Sequence, residues 1–409
     1  MANDFKNTTL VTKFAVKEFL NAMMMGKKVD RQLDENNIFS GKVGATAYVR
    51  RPVMFAAADG ATISVSDIEE AYIPVALDNR KHVAFKASSS DLALKIEDAN
   101  ERYIKPAMIE LAQQVESAIA AEYTEIPNFV GTPGTTPSSF LDVANAGAEL
   151  SKLGVPVDMR SAFYDSAATV SLANGLKGVF PQDIAKTAIE MASIGRYGGF
   201  DIYENNSLKS HTVGVATGTP LVNGADQNVT YATAKDTDTQ SLVTDGWTNS
   251  TTGILKAGDI ITIAGVNSVN RRTREDTGDL QTFVVTADAD SGASTGPATL
   301  TIAPPIITSG PYQTVTAAPD DDAVITVKTG TGGTSYRQNM AFHKNAITLA
   351  FGQLDVVTDG ASGYRQNFDG VSIKAQRQYD IDADELKYRF DVLFGVKVQN
   401  RSFAVRTTG

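Results

Sequence analysis

Hydrophobic positions recur at helical spacing near the N-terminus and alternate with polar ones over much of the rest of the chain. In residues 9–25, Val16, Phe19, Leu20 and Met23 fall on one face, with Lys13, Lys17 and Glu18 between them. That spacing predicts an amphipathic helix. Residues 26–44 are polar and irregular and read as an arm. From 46 to 86 the pattern changes to two extended legs, in which Ile73, Val75 and Leu77 alternate with Pro74, Ala76 and Asp78, followed by Val83 and Phe85. Between the legs, Ala56-Ala57-Ala58-Asp59-Gly60-Ala61 offers small residues and an Asp-Gly turn. A long hairpin of this kind cannot bury both faces by itself, so it should lie against something else, such as another subunit.

Residues 99–123 carry the strongest helical pattern. Ile104, Met108, Leu111, Val115 and Ile119 form one stripe, with Glu101, Lys105, Glu110, Gln114 and Glu116 away from it. Pro106 has no N–H to donate and predicts a start or kink there. The seventeen or so residues beyond it would make a rod about 25 Å long. Between 138 and 204 helices and strands alternate: a helix capped by Ser138 and stopped by Gly154, a strand over 157–164, a short helix capped by Asp165, an Ala-rich helix over 181–194, and a strand from Phe200.

From about Ser207 to Ser335 the composition differs. The segment is rich in Thr, Gly and Asp and is cut into short β runs at 260–263, 282–285, 299–302 and 324–327. This spacing predicts a small barrel or sandwich, with Asp226–Ser250 and Asn267–Asp279 as polar loops leaving it. After Tyr336 the longer apolar alternations return, with strands over 371–379 and 387–394 joined by an acidic turn. The two flanks look like halves of one mixed α/β body, interrupted by a β-module.

Composition narrows the chemistry. The chain has 409 residues, no cysteine and a formal net charge of −10. The missing thiols exclude disulfides, thiolate zinc sites and a Cys nucleophile. The acidic balance argues against a surface that wraps nucleic acid. No apolar run is long enough to span a bilayer, and the N-terminus lacks the order of a signal peptide. Asn-x-Ser/Thr sites, among them those at Asn7, Asn205, Asn228 and Asn249, are then accidental.

The motif search yields little catalysis. Gly292-Ala293-Ser294-Thr295-Gly296 matches the serine-elbow pattern, with Asp320 and His343 following in hydrolase order. That motif needs a strand-to-helix turn, and here polar turn residues precede a β run. Asp380, Asp382, Asp384 and Asp391 imitate a calcium loop, but Glu385 stands where the sharp turn needs glycine. Asp320-Asp321-Asp322 reads as a charged loop. His82, His211 and His343 lie far apart and read as structural. Gly330-Thr331-Gly332-Gly333 reads as a linker. No catalytic, cofactor-binding or metal residue is assigned. The tight basic cluster is Arg271, Arg272 and Arg274, ahead of Glu275 and Asp276. The plain reading is an exposed mixed-charge loop. The functional one is a docking loop pairing with acids on a neighbouring subunit, Asp236 and Asp238 being candidate partners. Arg50 and Arg51, on a hairpin leg, fit either solvated charge or inter-subunit contact.

The order of elements, together with Leu255-Lys256-Ala257-Gly258-Asp259-Ile260-Ile261-Thr262-Ile263-Ala264-Gly265-Val266, Thr301-Ile302-Ala303-Pro304 and Leu393-Phe394-Gly395-Val396, resembles the major coat proteins of tailed phages. The resemblance is to the HK97-like fold, in the P22-type branch with its inserted domain. It implies an α+β fold with an N-terminal arm (1–45), an extended β-hairpin loop (46–90), a spine helix and peripheral domain (91–137), the first part of an axial domain (138–206), an inserted small all-β barrel (207–335) and a return to the axial and peripheral domains (336–409). It also implies a shell of hexamers and pentamers, a portal at one vertex, and enclosed double-stranded DNA held without sequence-specific contacts. Membrane and cofactor play no part. The protein is expected in the virion after assembly in the bacterial host cytoplasm. Some relatives carry a long N-terminal scaffolding segment; only about 45 residues precede the hairpin here, so a separate scaffolding protein is expected. Lys81 and Lys86 match the cross-linking lysines of some relatives by position alone, and no cross-link is predicted. Other readings are a nanocompartment shell of the same fold and a phage tail or decoration protein.

Overall fold

The computed structural model describes residues 8–33, 44–51, 53–55, 68–88, 100–176, 195–357, 362–383 and 385–408. The hairpin tip at 56–61, most of the arm beyond residue 33, and the helix expected over 181–194 lie outside them. Contacts divide the chain into two units, each discontinuous in sequence. The first comprises Met1–Val49, Pro74–Ala120 and Ile347–Lys397; the second comprises Arg50–Ile73, Ala121–Ala346 and Val398–Gly409.

In the first unit the N-terminal helix is Thr8–Ala22 and the long helix is Lys105–Ala121. The long helix starts one residue before Pro106, where the missing N–H has no intrahelical acceptor to lose. A π-helical turn, Asn100–Ile104, precedes it. Every residue of the expected stripe, Ile104, Met108, Leu111, Val115 and Ile119, is buried. A six-stranded sheet runs in the order Asp30–Leu33, Ile347–Gly352, Glu385–Val398, Val371–Asp380, Ser362–Phe368, and Asn79–Ser88 also pairs with Glu385–Val398. The alternation of Phe85, Tyr388 and Phe390 places their rings together, and Tyr103 of the π turn stacks on Phe85 at 5.8 Å. The hairpin legs pair as Ala45–Arg50 with Tyr72–Leu77. Val75 and Leu77 point into a cluster with Ala47, Val49, Ala350 and Leu393. The acidic stretch after Tyr379 is the turn between two antiparallel strands, with Asp380 paired to Lys387 at 2.6 Å and Asp391 buried inside the second strand. Asp384 lies outside the described residues.

The second unit contains a mixed sheet in the order Asn128–Val130, Ala404–Thr407, Asn339–His343, Arg160–Tyr164, Phe200–Glu204, Arg196–Tyr197. Helices Phe140–Lys152 and Ser166–Leu176 accompany it. The first is capped by Ser139 rather than Ser138, in a reciprocal box with Asp142. Val143, Leu150, Phe200, Ala341 and Val405 share one core, so residues far apart in sequence close a single body. The chain leaves this sheet at Phe200–Glu204 and re-enters it at Asn339–His343. Between them, Ser210–Thr212 pairs antiparallel with Ser335–Arg337, so the intervening segment enters and leaves through one ladder. The composition changes near Ser207 and Ser335 fall beside that ladder.

The intervening segment forms its own antiparallel sheet, ordered Gly218–Val222, Gln240–Trp247, Ala298–Ala303, Asp276–Val285, Ile260–Val269, Ile325–Val327. A bridge from Leu221 to Val324 joins the first strand to the end of the last. The ring therefore closes on itself around Leu242, Trp247, Ile261, Phe283 and Ile302, which removes free sheet edges. Two loop expectations are corrected here. Gln240–Trp247 is a central strand, not part of a loop over Asp226–Ser250. Its inward positions include Gln240 and Thr244, both buried, which hid the alternation. Those polar groups are satisfied: Thr244 donates to the Ala298 carbonyl and accepts from the Trp247 indole, and Gln240 accepts from the Ile306 N–H. The expected loop over Asn267–Asp279 shrinks to the turn between two ten-residue strands, Ile260–Val269 and Asp276–Val285.

Candidate functional site

The residues singled out for chemistry fall into two polar clusters in the second unit. The first forms around Asp238, which follows the short helix Tyr231–Ala234 and holds the left-handed backbone that Asp tolerates, φ 55°. Arg51 donates to its Oδ2 at 2.7 Å, and the Arg401 Nε lies 3.3 Å from the same oxygen. Arg401 also reaches the Glu125 carboxylate at 2.6 Å and the Glu125 carbonyl at 3.2 Å. Arg271 stands close enough to Asp238 and Arg51 to interact electrostatically with both. Burial pushes the Asp238 carboxyl up, but Arg51, Arg401 and Arg271 outweigh it and hold the group below the usual carboxylate range. Beside the cluster Tyr231 and Tyr312 stack at 3.5 Å, and Tyr312 accepts from the Met54 N–H and donates to the Glu69 carbonyl.

Three of the sequence candidates, Arg51, Asp238 and Arg271, thus meet one another within a single chain. The other four do not join them. Arg50 is exposed and faces Glu70 at 4.0 Å, and Asp236 is exposed. Arg272 donates through Nε to the Gly154 carbonyl, and Arg274 to the Phe55 carbonyl. Sequence reasoning missed Arg401, Glu125 and the tyrosine pair. The one signal for them was Arg401 at the edge of the apolar run that ends the chain.

The second cluster surrounds Asp259 of the Gly-Asp strand. Its carboxylate is fully buried and accepts from the His211 ring at 2.8 Å, the Gly214 N–H at 2.9 Å and the Lys256 N–H at 2.7 Å. A carboxylate only accepts, so the His211 Nε2 carries the hydrogen, and the Tyr123 hydroxyl is in hydrogen-bond contact with Nδ1 at 3.2 Å. Gly258 is required beside it: its φ is +102°, and a Cβ would press on the His211 ring at 3.1 Å and on Thr124 at 3.2 Å. Arg406, also fully buried, donates to the Gly258 carbonyl at 2.7 Å and to Gln338 at 3.3 Å. Burial lowers its pKa to about 10. Despite its His–Asp contact, this cluster is closed over by protein and is a structural lock.

The serine-elbow residues stay apart. Ser294 sits exposed in a turn with φ 73°, whereas the His343 Nδ1 accepts from the Asn345 N–H and the ring meets the Phe403 edge. Among the described residues no group of three or more His, Asp or Glu is placed to hold a metal ion, and no helix is long and apolar enough to cross a membrane.

A family model described as P22 coat protein, gene protein 5, matches residues 1–406. The chain belongs to the P22 coat protein family. It is thereby a major capsid protein of a tailed phage, and the described residues have the mixed helix-and-sheet character of the α+β class expected from the sequence. It is 26% identical to the major capsid protein of Acyrthosiphon pisum secondary endosymbiont phage 1, over 96% of each chain. Among solved structures it is similar to a chain of Mycobacterium phage Che8, with 14% identity, 94% and 90% coverage and a TM-score of 0.45. It is also similar to the I-domain of the CUS-3 coat protein, with 30% identity, 28% of this chain against 97% of that one, and a TM-score of 0.19.

In this coat protein the first unit holds a further polar residue that the sequence pattern misplaced. Glu116 lies off the apolar stripe of the long helix yet is buried. Its carboxylate accepts from the N–H groups of Met24, Met25 and Gly26 at 3.0, 2.9 and 2.9 Å. Those amides open the short helix Met25–Lys28, whose first turn has no intrahelical acceptors. A carboxylate from one helix therefore fastens the N-terminal segment to the long helix.

Proposed function

We propose that the chain assembles as hexamers and pentamers of itself into an icosahedral shell around double-stranded DNA, and that it performs no catalysis. The family match over residues 1–406 carries this reading. A separate scaffolding protein guides assembly in the bacterial host cytoplasm, a portal occupies one vertex, and the finished shell is the virion capsid. The acidic chain encloses DNA without sequence-specific grip. Residues 207–335 act as an inserted barrel domain, 46–90 as the extended hairpin, and the remaining segments as arm, spine helix and axial and peripheral domains.

Contacts between copies are assigned to the hairpin and the barrel turn. Tyr48, Phe55 and Ile68 on the hairpin are 67%, 66% and 64% exposed, an unusual placement for large apolar groups unless a partner covers them. Arg50, Asp236, Arg272 and Arg274 supply outward charge. Individually weak contacts add through the many made per subunit. Co-expression with the scaffolding protein should give closed shells by electron microscopy; a persistent compact monomer would overturn the assembly reading. Charge reversal at Arg272 and Arg274 should lower shell yield while monomer melting stays unchanged, and equal yield would remove the docking role.

A further inference from the structure

We infer that the arginine cluster around Asp238 is a binding site for one small oxyanion, of the inorganic phosphate class. A cavity of about 70 Å³ lies there, and the charged side chains lining it are Arg51, Arg271, Arg401 and Asp238. With Glu125 pairing Arg401 from outside the cavity, three guanidiniums face two carboxylates, which leaves one positive charge in excess. Arg51 and Arg401 are the two that reach Asp238. Among the described residues Arg271 has neither a hydrogen bond nor an ion pair, and its Nε is buried without a hydrogen-bond acceptor, as is the Nε of Arg51. Burial lowers the Arg271 pKa; Asp238 opposes that and Arg51 adds to it, and the balance stays below the ordinary guanidinium value. An uncompensated buried cation is costly unless something negative accompanies it.

The shape of the cavity selects the anion. A volume of this size is more than a single water needs and is enough for a small polyatomic anion. The guanidinium fork matches the paired oxygens of phosphate, sulfate or carboxylate, which a halide cannot offer. The site draws on segments distant in sequence: the hairpin base through Arg51, the barrel turn through Arg271, and the C-terminal stretch through Arg401. A bound oxyanion would tie these segments together and offset the repulsion between the arginines.

The test uses the full-length chain. Isothermal titration with inorganic phosphate, against sodium chloride at matched ionic strength, should give one phosphate per chain. The melting temperature should rise by about 1–3 °C for each tenfold increase in phosphate beyond saturation. Arg271→Gln should weaken phosphate binding at least tenfold, whereas Arg272→Gln, on the exposed side of the turn, should leave it unchanged. If Arg271→Gln fails to fold, the titration of the unaltered chain still decides. No phosphate binding above the chloride control would overturn the inference, as would undiminished binding by a folded Arg271→Gln chain. Binding to the free chain that vanishes in assembled shells would assign the site to a carboxylate from a neighbouring copy and overturn the free-ion source.

Discussion

Removing the Asp259 carboxylate should be among the most destabilising single changes in the barrel. In Asp259→Ala, the Gly214 and Lys256 amides and the His211 Nε2–H lose their acceptor together. The site is fully buried, so water does not replace the carboxylate. Each orphaned buried donor costs about 1–3 kcal/mol, so losing the acceptor that three of them share should cost at least about 3 kcal/mol. Asp259→Asn keeps one oxygen but turns an NH2 toward a donor, and should cost about 1–3 kcal/mol. Urea unfolding of the full-length monomer at neutral pH measures this through the midpoint, provided the slope is unchanged. Asp279→Ala is the internal control, because its partner Lys152 is 46% exposed and Asp279 itself 56% exposed. Such a surface pair contributes at most about 1 kcal/mol. A cost below about 1 kcal/mol for Asp259→Ala, equal to the control, would refute the idea that this carboxylate locks the base of the barrel.

Three further outcomes follow from buried groups. Glu116→Ala should cost about 2–4 kcal/mol and sharply speed hydrogen exchange at the amides of Met24, Met25 and Gly26; unchanged protection there would show that the carboxylate is not their cap. Asp238 has a depressed pKa, so its contribution is present above the unfolded value of about 3.9 and is lost as pH falls through the folded value. Asp238→Asn should therefore destabilise the chain at neutral pH by about 3–5 kcal/mol and flatten its acid limb; an acid limb identical to the parent's would refute the assignment. Burial lowers the His343 pKa, so the unfolded chain binds the proton more readily. Stability should fall as pH drops below about 6.5, and His343→Phe should remove that slope in urea titrations between about pH 5.5 and 7.5.

Local repetition was the readable part of this chain. The stripe from Ile104 to Ile119 and the alternation of Ile73, Val75 and Leu77 each report one buried face, because side-chain direction repeats every 3.6 or 2 residues whatever the partner is. Where inward positions are polar, the code fails. The strand Gln240–Trp247 looked like a loop because Gln240 and Thr244 face the barrel interior, which only their specific hydrogen-bond partners make tolerable. Glu116 failed for the same reason: its partners are backbone amides about ninety residues away, invisible to any helical wheel.

The sequence by itself determined the strongly periodic elements, the change of composition near residues 207 and 335, and the kinship carried by the Gly-Asp strand. It determined these because periodicity, turn chemistry and glycine's backbone freedom are local properties. Tertiary structure alone decided which charges meet. Arg51 and Asp238 are 187 residues apart, and Arg401 arrives from the far end of the chain. Coulomb pairing depends on distance in space, not position along the chain, so only the folded body could gather three arginines around one carboxylate.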